Sequence, residues 1–421
     1  MPRLTALLLL SLLAALATEC AASMALELRP RLRVEEEYND NVFLRAGSAA
    51  SDYITTVYPA LDLSARTPTS GVELTYELGY SRYFNQGVNF VRQNGGLLAY
   101  RKLTRRLSLE AVDTFYRSED LLQPGVGTVA PRSTLRAYVN NSASPQLRYR
   151  YAPGGEVILN WLNTILENED PALQDAFGNR GGMEIHHAFS RHDNAALAYS
   201  YERADFTQVP ALNFVPLPDF VANRANVGYI HNLTRSVSLL GVYDYQDYSF
   251  SGETFDNYRT HEGRAGCTLM PAPGWTVTAT GGLFKVDGGA DMRLGGGLAA
   301  DLQVQRVCDA GVAGVGYRRG LAEDYYSGEN LGVYRYWTAS FGFNYFPRRH
   351  FNVTLQADGG TREYGRVNRH DDYWDLKTGL VYQIRKWLAA GVRYERYYLK
   401  SIPATSDFTN NRYIATIGVS Y

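Results

Sequence analysis

From Leu28 to its last residue the chain repeats one pattern: segments of roughly ten residues in which apolar and polar side chains alternate, each followed by a turn. Period-two alternation puts successive side chains on opposite faces of an extended strand. Leu28, Pro30, Leu32 and Val34 alternate with Arg29, Arg31, Arg33 and Glu35. Val72, Leu74, Tyr76, Leu78 and Tyr80 alternate with Glu73, Thr75, Glu77 and Gly79. The same holds for Leu147–Tyr151, Val333–Tyr345, Leu388–Tyr394 and Tyr413–Tyr421. One face is mostly apolar, and the other is charged or small. A soluble antiparallel sheet shows the same alternation, so periodicity alone does not decide; the many charges on the polar face, which need a wet interior, push toward a membrane barrel.

The connections alternate between short and long. The sequence places nine short turns and ten longer ones, so nineteen connections join twenty strands. Segments 92–102 and 292–302 are the weakest patterns and leave eighteen as the lower count. Among the boundaries read this way are long connections over Asn85–Gln93 and Leu166–Arg180 and a short turn over Gln303–Val307. Short turns at one end, longer loops at the other and an even strand count are the pattern of a transmembrane antiparallel up-and-down β-barrel. Tyrosines at strand ends (Tyr76 and Tyr80, Tyr199 and Tyr201, Tyr243 and Tyr245) suit interfacial girdles. The 32 Tyr and 39 Gly of the 421 residues fit strands and tight turns better than helices.

A leader precedes the pattern. Met1–Pro2–Arg3 is followed by a mostly apolar run from Leu4 to Ala17, and Ser23–Met24–Ala25 has small residues at cleavage spacing. The expected organisation is a signal peptide over 1–25 and one outer-membrane barrel domain over 26–421, with both termini periplasmic. Cys20 raises a lipoprotein alternative, but Glu19 stands where a lipobox has a small residue. The net charge of −1 gives no reason to expect nucleic acid as a partner. No later stretch is long and apolar enough for a membrane-spanning helix.

By parity, the inward face carries Arg31, Arg33, Glu35, Glu73, Glu77, Arg148, Arg150, Glu202, Arg224, Asp244, Glu262, Arg264, Asp301, Asp358, Asp375, Lys377, Arg393 and Glu395. These are the candidate pore-lining residues. Both charge signs occur in similar numbers, whereas a selective anion or cation pore shows a ring of one sign. About sixteen or more strands enclose a water-filled channel. With no plug domain before the first strand, the lumen is open unless longer loops fold into it.

No chemistry-bearing motif stands out. There is no G-x-S-x-G and no H-E-x-x-H. His186 and His187 are adjacent on a strand and point to opposite faces. Acidic groups at Glu167, Glu169 and Asp170, at Glu323 and Asp324, and at Asp371 and Asp372 read as solvated surface charge, with Ca²⁺ as the functional alternative. No cofactor, no metal and no enzymatic activity are expected. Cys267 and Cys308 are placed three strands apart, too far for an unstrained disulfide. Basic residues gather in the short turns (Arg105–Arg106, Arg191, Arg235, Arg348–Arg349, Arg385–Lys386), where they anchor strand ends or dock an acidic periplasmic partner.

After the first strand stands Glu37-Tyr38-Asn39-Asp40-Asn41-Val42-Phe43-Leu44-Arg45. Asn39-Asp40-Asn41 reads locally as an Asx-rich turn. The segment also resembles the N-terminal signature of the porin-2 family of outer-membrane β-barrels, which are often encoded beside exopolysaccharide synthesis and export genes. The resemblance implies a channel assisting export of a surface exopolysaccharide. A general small-solute porin and a structural or adhesive barrel are the alternatives. Implied partners are outer-membrane lipid, the barrel-assembly machinery through the C-terminal strand, a periplasmic polysaccharide-export protein and the polysaccharide.

Overall fold

A computed structural model describes residues 25–421 except 48, 123–134, 208–215, 253–254, 289–293, 327–330 and 403–405. The leader and Cys20 lie outside the described residues. The first ten strands are β1 (Ala25–Asn39), β2 (Asp52–Arg66), β3 (Ser70–Tyr83), β4 (Val88–Lys102), β5 (Leu107–Ser118), β6 (Tyr138–Ala152), β7 (Gly155–Asn168), β8 (Ala176–Ala188), β9 (Asp193–Phe206) and β10 (Phe220–Asn232). The rest are β11 (Val237–Phe250), β12 (Tyr258–Leu269), β13 (Trp275–Gly288), β14 (Gly296–Cys308), β15 (Gly311–Asp324), β16 (Gly332–Arg348), β17 (Phe351–Tyr364), β18 (His370–Arg385), β19 (Leu388–Ile402) and β20 (Phe408–Ser420).

Each strand pairs antiparallel with the next, and β1 pairs with β20, so the twenty-stranded sheet closes on itself. Closure leaves no unpaired edge, which is what a sheet surrounded by lipid needs. Both ends of the described chain lie at the end with the short connections, here the turn end; the other is the loop end.

The alternation sets which residues face out. Leu32, Leu159, Leu283, Leu298 and Val392 are all more than two-fifths exposed, Leu283 at 66%. Their neighbours in sequence turn inward, where Arg33 and Arg393 are ion-paired and Ile158, Phe284 and Ala299 are buried. Ladders of aromatic rings sit on the outer face, as where Trp374 stacks on Tyr398 and Tyr394 leans on Tyr413.

The three connections named above differ from the sequence reading. The turn placed at Gln303–Val307 is strand; β14 continues to Cys308 and turns at 309–310. Gln303 and Gln305 are polar because they face the interior, not because the chain bends there. Cys267 and Cys308 consequently stand on strands two apart rather than three, and they are not bridged. The connection read over Asn85–Gln93 is only 84–87, and β8 begins at Ala176 inside the loop read over Leu166–Arg180. In both cases inward polar residues or glycines mimic loop composition.

Glycine is required where backbones crowd. A Cβ at Gly282 would lie 1.8 Å from the Gly263 carbonyl oxygen on β12. Backbone cannot yield as a flexible side chain can. Gly282→Val is therefore expected to destabilise the barrel by at least about 1–3 kcal/mol. The check is the temperature at which the compact form disappears in unboiled gel electrophoresis; an unchanged midpoint would refute the crowding.

Candidate functional site

The interior is divided. On the β6–β13 side of the loop end, inward side chains build an aromatic core. Tyr138, Phe206, Phe220, Tyr248, Phe250 and Tyr258 are buried together with Tyr325 from the β15–β16 connection. Tyr248 and Tyr258 stack at 4.8 Å between ring centroids, and Phe220 meets Tyr325 at 4.9 Å. Tyr325 shares a 2.5 Å hydrogen bond with Tyr258. Tyr326 donates to Glu202 on β9 at 2.7 Å. The β15–β16 connection thus reaches across to the β9–β12 wall. Burial pushes both phenols above their ordinary range, so each stays neutral.

A second connection folds in from β5. Leu121 and Leu122 pack with Leu44, Tyr397, Leu399 and Phe408. Two carboxylates fasten it. Glu119, fully buried, accepts from Arg92 at 2.6 Å and from Tyr83 at 2.9 Å. Asp120 accepts from Arg412 at 3.1 Å. Burial opposes ionisation of Asp120, but Arg412 and Arg92 outweigh it and hold its carboxyl below the ordinary range. The condition attached to an open lumen is the one met here: described parts of the barrel's own connections fold into its loop end.

What remains is a polar cavity of about 1070 Å³ between the β1–β5 and β14–β20 walls. Of the eighteen residues picked by parity, Arg33, Glu35, Glu77, Asp358, Asp375, Lys377, Arg393 and Glu395 line it. They are largely paired: Arg33 with Glu35 and with Glu77 (2.8 Å), Lys377 with Asp375 (3.2 Å), and Arg393 with Glu395 (2.7 Å). Arg31 pairs with Asp62 at 2.6 Å, and Glu73 with Arg66 at 2.6 Å near the turn end. Arg148 reaches Glu156 at 2.9 Å, and Arg150 lies opposite Glu156 in register. Arg264 lies between Glu262 (2.9 Å) and Asp244 (3.7 Å), and Asp301 is 3.5 Å from Arg318. Glu202 and Arg224 stand apart from the cavity. They pair at 2.8 Å against the aromatic core, where Arg224 also meets Glu323 at 2.9 Å.

Parity missed or passed over further cavity residues, among them Glu37, Tyr58, Arg92, Arg362 and Arg412. Glu37 shares the parity of Arg33 and Glu35 but reads as part of a motif. Arg92 lies inside the segment mistaken for loop. Arg412 was open to detection, because its neighbour Tyr413 faces out.

The Glu37–Arg45 segment closes the barrel. Asp40 accepts from the Asn411 backbone N–H (2.7 Å) and side chain (2.6 Å). Asn41 donates to the carbonyls of Thr409 and Arg45, both at 2.9 Å. Asn410 donates to Asn39 at 2.5 Å, and Arg412 grips Glu37 through two bonds of 2.7 and 2.8 Å. Asparagine and aspartate suit this seam because their short side chains carry backbone-like donors and acceptors. The Asx-rich turn is therefore a clasp between the first and last strands.

No arrangement for nucleophilic chemistry is assembled among the described residues. At the turn end Asp193 accepts from Ser190 (2.6 Å), and His231 Nδ1 lies 2.7 Å from it. The serine bonds the acid and not the imidazole, so the trio is not a nucleophile–base relay. His187 stacks on Tyr151, while His186 lies near Glu184 on the other face. The acidic groups are engaged locally: Glu169 with Arg117, Asp371 with Arg369 and Ser401, and Asp372 with His370.

The architecture is that of outer-membrane β-barrels. The siderophore receptor PirA from Acinetobacter baumannii superposes with a TM-score of 0.55 at 8% identity, over 94% of this chain and 80% of that one. PirA from Pseudomonas aeruginosa gives 0.53 at 9%, with the same coverage. The ferric enterobactin receptor PfeA of Pseudomonas aeruginosa, in a mutant form, gives 0.53 at 9%, over 96% and 81%. At such identities the likeness extends to the fold alone. No family model and no curated protein matches the sequence.

Proposed function

We propose that the protein is an outer-membrane channel, held shut at rest by its own connections, for hydrophilic cargo close to neutral. The loop end faces outward and both termini lie in the periplasm. The carrying observation is the cavity wall. Seven carboxylates and seven cations line it, most of them paired, beside tyrosines, glutamines and hydroxyls. A lining balanced in this way repels neither sign and offers hydrogen bonds throughout, which favours polyhydroxylated cargo over ions. Tyr58, Tyr336, Tyr373 and Tyr397 add amphipathic ring faces of the sort sugars stack on. Twenty strands are enough for a passage once the inward connections move.

The finer reading is assistance to exopolysaccharide export, supported by the N-terminal resemblance. A periplasmic export protein would dock at the basic turn end, and the C-terminal strand would engage the assembly machinery. Deleting the gene is expected to remove surface polysaccharide while leaving small-solute uptake normal. Impaired small-solute uptake with unchanged polysaccharide would make the barrel a porin instead. A protein that stayed soluble without detergent and migrated identically boiled and unboiled would refute the membrane reading.

A further inference from the structure

On the outer wall near the loop end, a pocket of about 240 Å³ lies across β15, β16 and β17, lined by Arg319, Arg335, Tyr336, Trp337, Thr361 and Glu363. All but Tyr336 share one parity, opposite to that of inward-facing Arg318, Thr338 and Arg362, so their side chains belong to the exterior. Arg319 stands directly opposite Trp337, and Arg335 opposite Glu363. Arg335 is ion-paired with Glu363. Arg319 has no ion pair among the described residues, although it is only partly exposed. Beneath, Trp337 is 39% exposed and stacks on Tyr317 at 6.4 Å.

A guanidinium without a counter-charge is costly to hold at the edge of an apolar belt unless an anion meets it. Phosphate suits two guanidiniums because each presents a planar fork of donors. Glu363 would repel a bare anion, but it accepts hydrogen bonds from sugar hydroxyls or an amine. The indole of Trp337 supplies a flat apolar face at the level where acyl chains give way to headgroups.

Resting on the outer-membrane reading above, we propose that this pocket binds the phosphorylated sugar headgroup of an outer-leaflet glycolipid. Arg319 and Arg335 hold the phosphate, Glu363 accepts from the sugar, and Trp337 lies against its apolar edge. The occupant is lipid rather than a free anion, because the pocket opens sideways beside exposed indole and not into the cavity.

The test uses the full barrel in phosphatidylcholine vesicles doped with bisphosphorylated lipid A or its dephosphorylated form, with bound lipid counted by native mass spectrometry. The wild type is expected to prefer the phosphorylated lipid. Arg319→Gln and Arg335→Gln should each lower that preference roughly five-fold, the scale of one basic residue at a charged lipid surface. Conductance and the boiled-versus-unboiled gel shift should stay unchanged in both variants, which separates loss of the site from loss of the fold. No preference in the wild type, or one that survives both substitutions, overturns the proposal. So does equal displacement by millimolar inorganic phosphate, which would make the pocket a free-anion site. Failure of the wild type to insert into vesicles would instead refute the membrane reading.

Discussion

Glu119→Gln combined with Asp120→Asn is expected to raise the steady conductance of the reconstituted barrel several-fold over a nearly closed wild type. The described start of the β5–β6 connection, Glu119–Leu122, is fastened at the cavity wall by charge-assisted bonds from Arg92 to Glu119 and from Arg412 to Asp120. Such bonds are about twice as strong as neutral ones when water is excluded. Losing one partner of a buried pair costs about 3–5 kcal/mol, much of it from the charge left behind. The amide replacements keep shape and volume, so the strands themselves have no reason to move. Packing of Leu121 and Leu122 remains, which is why partial rather than complete opening is expected. Planar-bilayer recordings check this, with Glu27→Gln at the exposed turn end as a control that should change nothing. A folded double variant with wild-type conductance would show that the connection does not gate.

The same latch has a defined response to acid. Asp120 titrates below its ordinary range because Arg412 and Arg92 outweigh the burial that opposes its charge. A depressed carboxylate contributes stability above its unfolded value and loses it only as pH falls through the folded one. Mild acidification to about pH 5 therefore leaves this contact intact, since the unfolded value is near 3.9. Its contribution fades only below that.

Strand number and facing were readable because period-two alternation runs through almost every strand, from Leu28–Val34 to Tyr413–Tyr421. What the alternation could not give was the filling of the interior. Tyr326 and Glu202 meet across 124 residues of sequence, through the β15–β16 connection, and no local pattern marks that contact. Composition also misled at strand ends. Gln303 and Gln305 look like a turn, and Arg92 looks like loop, because an inward residue of a wet barrel is as polar as a loop residue. The Asn39-Asp40-Asn41 run was visible as an Asx turn, but its partners Asn410 and Asn411 lie at the far end of the chain. Only closure of the sheet brings them together.

That closure underlies the other large effect: Arg412→Ala is expected to destabilise the barrel more than removal of any other single inward charge outside the aromatic core. The seam between β1 and β20 has nine residue pairs, against fifteen between β1 and β2. β14 and β15 also share nine, so what sets this seam apart is its side-chain clasp. Arg412 is one-tenth exposed and faces three carboxylates: Glu37 at 2.7 Å, Asp120 at 3.1 Å and Glu395 at 3.8 Å. Alanine leaves Glu37 without its paired cation and leaves Asp120 and Glu395 with only Arg92 and Arg393, so the three carboxylates repel besides losing hydrogen bonds. The cost is of the order of 3–5 kcal/mol for a buried pair broken from one side. Adding Glu37→Gln to Arg412→Ala should recover part of it, because one stranded charge is removed, and that sign distinguishes electrostatics from a lost packing contact. Asp62→Asn, which breaks the half-exposed Arg31 pair, should cost no more than about 1 kcal/mol. Heat-dependent gel migration ranks the three proteins. Equal midpoints for Arg412→Ala and Asp62→Asn would mean that backbone pairing alone closes the barrel, and the clasp would then serve only to aim Asp120 at the cavity.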